Sequence, residues 1–275
     1  MLVGYRCPLD DSNKSFDFCF YKCPAKCTEL PILISLSSSR EVVKDVYSVT
    51  EILKPPRVVN YMRQVDYWSS PFDLIYMSLG SAFHTIVESN GMDCPMHSFE
   101  SALAFRAKLD IGGREITLTG KPDQYNEAAE ILTDYKTAGY YAVKKLMDGD
   151  WEDSTYKLQV NMYRRHRFPN CKRQQLVMLV KDYTRKLKIA GVRPIINIQV
   201  PWMTDEEIDI EEKIRLMDIL VGDEDWRKSR DCTPEERWFN ERTGEFVRCM
   251  DYCLVAPDCP QLLENGERLN GKKKA

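Results

Sequence analysis

Asp134 and Lys136 stand one residue apart in the run Ile131-Leu132-Thr133-Asp134-Tyr135-Lys136-Thr137. On a strand, positions i and i+2 point to the same face, so both side chains project together. Tyr135 then turns away and leaves its carbonyl at the same edge. Upstream, Gly120-Lys121-Pro122-Asp123 puts a second carboxylate at the end of a neighbouring strand. Two carboxylates and a carbonyl are a hard oxygen set of the kind that Mg²⁺ or Mn²⁺ takes. A lysine beside them can orient a water or hydroxide and offset charge developing on phosphorus. Alone, an Asp-x-Lys pair on a strand is ordinarily a surface ion pair worth little, so the case rests on its surroundings.

Three of those surroundings carry chemistry of their own. His84, in Gly80-Ser81-Ala82-Phe83-His84, is four residues before Glu88 and shares a helix face with it. As a further ligand it would shift preference toward Mn²⁺. Gln159 and Tyr163 are also four apart, placed to touch a nucleotide or brace the lysine. Eight of the ten cysteines fall in two groups, Cys7, Cys19, Cys23 and Cys27 near one end and Cys232, Cys249, Cys253 and Cys259 near the other. Clustered cysteines in a reducing compartment point to metal rather than disulfides. The second group suits Zn²⁺ or an iron–sulfur cluster, and the first an additional Zn²⁺. Cys94 and Cys171 read as isolated core or surface thiols.

These residues need elements to hold them. Ser48 with Glu51 makes a capping box that opens a helix, which Pro55-Pro56 interrupts. Apolar residues at helical spacing predict a helix over 72–89, with Gly80 and Ser81 allowing close packing. Ile32-Leu33-Ile34-Ser35-Leu36 reads as a short strand, 98–109 as another, and Gly112-Gly113 as a hairpin turn into 114–120. Further strands are expected at 123–125, 129–136, 175–182 and 195–200. Helices are expected at 140–147, 155–167 and from Thr204, capped by Glu207, to about Leu220. The order predicts an α/β fold, a central mixed sheet flanked by helices, and no internal repeat. The chain divides into a cysteine-rich arm (1–47), a core (48–225) and a cysteine-rich segment with a basic tail (226–275).

Taken in order, a Gly-x-x-x-His helix, a Gly-x-x-Asp strand end, an Asp-x-Lys strand and a Gln-x-x-x-Tyr helix resemble the RecB-type branch of the PD-(D/E)XK nucleases. That branch includes the CRISPR-associated fourth Cas protein, the AddB subunit and many phage exonucleases. The resemblance implies a restriction-endonuclease-like core with metal held by His84, Asp123, Asp134 and the Tyr135 carbonyl. It implies Lys136 as the catalytic lysine and Gln159 and Tyr163 as support that contacts DNA. The x3 and x5 spacing of Cys249, Cys253 and Cys259 is similar to that of relatives holding a [4Fe–4S] cluster. Their fourth cysteine lies on the N-terminal side. Here Leu53-Lys54-Pro55-Pro56-Arg57 carries proline there, which leaves Cys232 as the substitute and zinc as the alternative.

The expected activity is a DNA exonuclease on single-stranded or frayed ends in phage or bacterial recombination and repair, with a recombination or adaptation protein as partner. The alternatives are a structure-specific or CRISPR-adaptation endonuclease and a non-catalytic DNA-binding protein of the same fold. Tyr140, Tyr141, Trp151 and Tyr163 are candidates for base stacking. Hydrophobic residues make up 43% and charged residues 29% of 275, an ordinary globular composition. No apolar run spans a bilayer and the first residues lack a secretory pattern, so a cytosolic location and no membrane partner are expected. The net charge of −3 means that a nucleic-acid binder must gather its cations locally. Sequence clusters occur at Lys144-Lys145, Arg164-Arg165-His166-Arg167, Lys172-Arg173 and Lys272-Lys273-Lys274.

Overall fold

The computed structural model describes all residues except 38–40, 92, 93, 95, 153, 242 and 265–275, so the lysines at 272–274 lie outside it. The chain begins with β1 (Leu2–Arg6), β2 (Asn13–Ser15), a π-helical turn (Phe18–Lys22) and α1 (Leu30–Leu36). Next come β3 (Val46–Ser48), α2 (Val49–Ile52), α3 (Pro56–Gln64), β4 (Tyr67–Ser69) and α4 (Pro71–Gly91). The middle holds β5 (His97–Phe99), α5 (Glu100–Leu103), β6 (Phe105–Ile111), β7 (Arg114–Gly120), β8 (Gln124–Asn126) and β9 (Ile131–Ala138). Then follow α6 (Tyr140–Met147), α7 (Thr155–Arg167), β10 (Arg173–Val180), α8 (Arg185–Ile189), β11 (Ile195–Gln199) and α9 (Asp205–Val221). The last part has a small hairpin of β12 (Phe239–Asn240) and β13 (Glu245–Phe246), a second π-helical turn (Arg248–Tyr252) and α10 (Pro260–Glu264).

The elements form two compact units. One comprises Met1–Val42, Lys54–Ser78 and Met217–Ala275; the other comprises Val43–Leu53 and Leu79–Leu216. In the first, β1 pairs antiparallel with β2 and parallel with β4. Its core gathers Leu2, Tyr5, Leu33, Leu36, Tyr61, Tyr67, Leu74 and Val255, with Cys19, Cys27 and Cys253 packed against it. Residues of the first 36 and of the stretch from Trp226 to Val255 therefore share one hydrophobic core.

The second unit holds a five-stranded mixed sheet in the order β11-β10-β9-β8-β5 and a separate three-stranded sheet, β3-β7-β6. β9 and β10 run parallel, and the other pairings of the larger sheet are antiparallel. The architecture is mixed α/β, as expected. Among the described residues, no helix is long and apolar enough to cross a membrane.

The local signals that carried a mechanism hold. Ser48 and Glu51 cap each other at the start of α2, and Thr204 and Glu207 do the same before α9. Gly112 and Gly113 both take positive φ, 64° and 85°, in the β6–β7 turn, which a residue with a Cβ adopts only at a cost. Two expected strands are corrected. The segment 32–36 is helical: Pro31 suits a first turn, and burial follows Leu33 and Leu36, three apart, instead of alternating. The segment 98–109 is broken by α5, which seats Leu103 in the core at 2% exposure before the chain returns to strand.

Candidate active site

β9 supplies Asp134 and Lys136, and the pleat turns both to one face. Lys136 Nζ forms an ion pair with Oδ2 of Asp134, whose side chain is 1% exposed. The lysine ammonium also lies 5.6 Å from the ring centroid of Tyr156 on α7. Tyr135 faces the other way, toward α4, where Phe83 meets its ring edge-on at 5.9 Å and His84 lies at 6.3 Å. Its hydroxyl donates to Oε1 of Gln124 at 2.5 Å.

Asp123, just before β8, ties these pieces together. Its Oδ1 lies 3.1 Å from His84 Nδ1, and its Oδ2 accepts the backbone N–H of Tyr135 at 2.6 Å. The hydrogen bond to Asp123 holds the His84 imidazole above its usual range, against burial, which acts the other way. Burial drives the Asp134 carboxyl upward, and the neighbouring Lys136 partly offsets this. For Lys136, burial opposes the charge, but Asp134 and Asp123 outweigh it and hold the ammonium protonated.

On α7, the Gln159 amide donates to the Tyr163 hydroxyl at 3.0 Å, and both side chains are buried. The Phe105 ring meets Tyr163 edge-on at 6.2 Å and stacks on His166 at 5.6 Å. Gly120 makes that possible, because a Cβ there would come within 2.2 Å of the Phe105 ring. By contrast, a Cβ at Gly80 would meet Thr137 Oγ1 at an ordinary 3.7 Å, so close packing does not require that glycine.

His84, Asp123, Asp134, Lys136, Gln159 and Tyr163 thus converge in one unit from α4, the start of β8, β9 and α7. Among the described residues, no group of three or more His, Cys, Asp or Glu side chains is arranged to hold a metal ion. His84 is engaged with Asp123, and Lys136 with Asp134. Oδ1 of Asp134, however, is buried and has no hydrogen-bond partner. An orphaned carboxylate oxygen in a hard-oxygen set is the kind of acceptor that a divalent cation satisfies, so the donor set fits Mg²⁺ or Mn²⁺.

Sequence reasoning missed Tyr156 and Gln124. Tyr156 shows a signal in hindsight, since 156, 159 and 163 share one helix face; Gln124 shows none. It also took Cys94 as isolated. With Asn126 donating to His97 Nε2 at 2.9 Å, the other ring nitrogen donates to the Cys94 sulfur at 2.9 Å.

Both cysteine groups belong to the other unit, and all ten cysteines are free thiols. Two of the three Cys-x3-Cys pairs lie at π-helical turns: Cys19 within one and Cys23 as its C-cap, Cys249 within the other and Cys253 as its C-cap. Burial, then the neighbouring Cys23, Cys27 and Cys7, pushes the Cys19 thiol up to about 11. Burial pushes Cys232 up to about 12, helped by Glu236 and then Cys259, Cys253 and Cys249.

No family model matches the chain, and no curated protein is similar to it in sequence. Among solved structures, the chain is similar to SSO0001 at 18% identity, covering 84% of this chain and 92% of that one, with a TM-score of 0.51. At that identity the likeness is one of fold.

Proposed function

We propose that this protein is a metal-dependent DNA nuclease with a PD-(D/E)XK core and its cutting centre at Asp123, Asp134 and Lys136. The observation that carries this reading is the buried Asp134 carboxylate, paired with Lys136 on one oxygen and unpartnered on the other. Lys136 compensates one oxygen, but leaving the other buried without a partner is costly, and a second carboxylate, Asp123, stands nearby.

Asp123, Asp134, the Tyr135 carbonyl and His84 are the residues that would hold Mg²⁺ or Mn²⁺. When bound, the ion would lower the pKa of a water and polarise the phosphate. Lys136 is placed to orient the attacking oxygen and to balance charge growing on phosphorus. Asp123 links the Tyr135 N–H of β9 to the His84 ring of α4. Gln159 and Tyr163 wall the site on the α7 side. An exonuclease acting on DNA ends in phage or bacterial recombination is the expected form, with a recombination or adaptation protein as partner and a cytosolic location. Cys19, Cys27 and Cys253 pack against one core, and with the sequence spacing this supports a [4Fe–4S] cluster or zinc at Cys232, Cys249, Cys253 and Cys259 and zinc at Cys7, Cys19, Cys23 and Cys27.

The test is cleavage of end-labelled linear and circular DNA, single- and double-stranded, with Mg²⁺ or Mn²⁺. Wild type should degrade linear DNA, and Asp134→Ala and Lys136→Ala should abolish this. Survival of circles would make it an exonuclease. Inactivity of folded, metal-supplied wild type on every substrate would sink the proposal.

A further inference from the structure

The basic clusters that stand out in the sequence are largely neutralised by the fold. Lys144 pairs with Asp148 and Lys145 with Asp150. Arg164 and Arg165 pair with Asp205 and Asp209, His166 with Glu212, and Lys172 with Glu130. Such pairs have little free charge to offer a polyanion.

The segment joining β10 to β11, residues 181–194, differs. It carries Lys181, Arg185, Lys186, Lys188 and Arg193 against one acid, Asp182, in a chain of net charge −3. All five cations are exposed. Among the described residues, none of the five makes an ion pair. Asp182 forms an ion pair with none of them and leaves the segment four positive charges in excess; its Oδ1 accepts the backbone N–H of Tyr140 at 2.7 Å.

The segment is also braced. The Tyr183 hydroxyl donates to the Val192 carbonyl at 3.0 Å, and the Val192 N–H donates to the Leu187 carbonyl at 3.0 Å. Thr184 caps α8, and Gly191 turns the chain at φ 77°.

Its position follows from the sheet. In the parallel β9–β10 pair, Lys136 is opposite Met178 and Ala138 opposite Val180. The Lys181 N–H then donates to the Ala138 carbonyl at 2.8 Å. The segment therefore leaves the sheet at the end where Asp134 and Lys136 stand, its first residue roughly 11 Å along the backbone frame from Lys136.

We infer that residues 181–194 form the phosphate-tracking element of the protein, with Arg185, Lys186 and Lys188 holding the backbone of a DNA strand next to the cutting centre. This rests on the nuclease reading and assigns the contact that gives it affinity. Unpaired, exposed cations release the counterions of the strand when they bind, which is the main source of sequence-independent affinity.

The test is fluorescence anisotropy with a single-stranded 30-mer in Ca²⁺, titrated across salt concentrations, beside a cleavage assay in Mg²⁺. The triple variant Arg185→Gln, Lys186→Gln, Lys188→Gln should bind at least tenfold more weakly, with the salt slope reduced by about 2. A control, Lys172→Gln with Arg173→Gln at the opposite end of the β9–β10 pair, should keep the wild-type slope. Thermal melting of both variants checks folding, to which exposed side chains and a surface ion pair contribute little. Wild-type affinity and slope in the folded triple variant would overturn the inference, even if the enzyme cuts. Binding that follows the prediction in a wild type that never cuts would support this element and sink the nuclease reading instead.

Discussion

Lys136 and Asp134 share one face of β9, and the lysine ammonium rests on a carboxylate that is 1% exposed. Removing either partner alone strands the other charge out of water. Asp134→Ala or Lys136→Ala should each cost about 3 kcal/mol or more in urea unfolding. The paired change Asp134→Leu with Lys136→Met should recover much of that while remaining inactive. With the single variants Asp134→Leu and Lys136→Met completing the cycle, additive losses would show that the two residues do not depend on each other.

Tyr163→Phe removes the oxygen that accepts the Gln159 amide. The amide is then buried without its partner, at a cost of about 1–3 kcal/mol. Cleavage should fall by less than in Lys136→Ala, because α7 supports the site from its side. A Tyr163→Phe protein as dead as Lys136→Ala would place the hydroxyl in the chemistry itself.

Gly120→Ala adds a methyl within 2.2 Å of the Phe105 ring. The ring must move toward Tyr163 or His166. Overpacking of this kind costs about 1–3 kcal/mol, and Phe105→Leu in the same chain should relieve part of it. Thermal unfolding of the single and double variants would show whether that relief occurs.

The α7–α9 contact predicts an acid limb in stability. Arg164 donates to Asp205 at 2.8 Å and Arg165 to the same carboxylate at 2.9 Å, which lowers the Asp205 pKa, mainly through the Arg164 hydrogen bond. A depressed folded pKa means that the contribution is fully present above the unfolded value near 4 and is lost as pH falls through the folded one. Asp205 is 55% exposed, so solvent screening keeps the effect below about 1 kcal/mol. Asp205→Asn should flatten the fall in stability below about pH 4, measured by urea unfolding from pH 2 to 6.

The cysteine groups predict a response to metal removal. Burial keeps Cys19 and Cys232 protonated near neutrality, so loading must release protons and affinity should rise with pH. Anaerobic protein should carry zinc or show cluster absorption near about 400 nm, and chelation should lower the melting midpoint. Metal-free protein that melts at the same temperature would leave these residues as plain thiols.

Much of this protein is legible in its sequence because it depends on local rules. The capping boxes at Ser48 and Thr204, the glycine turn at 112–113, the bounds of α6 and α7 and the i, i+2 pairing of Asp134 with Lys136 need only neighbours in the chain. Charge is different. Whether Arg165 or Lys188 is free for a ligand depends on which carboxylates packing brings near, and α9 places Asp205 and Asp209 beside one and nothing beside the other. The same holds for Tyr156 under Lys136, for the Phe105 ring over Gly120, and for Cys19, Cys27 and Cys253, distant in sequence, that pack against one hydrophobic core. A sequence fixes what each residue can do with its neighbours. Burial and long-range pairing decide which of those capacities remain open to a ligand, and both exist only once the chain has packed.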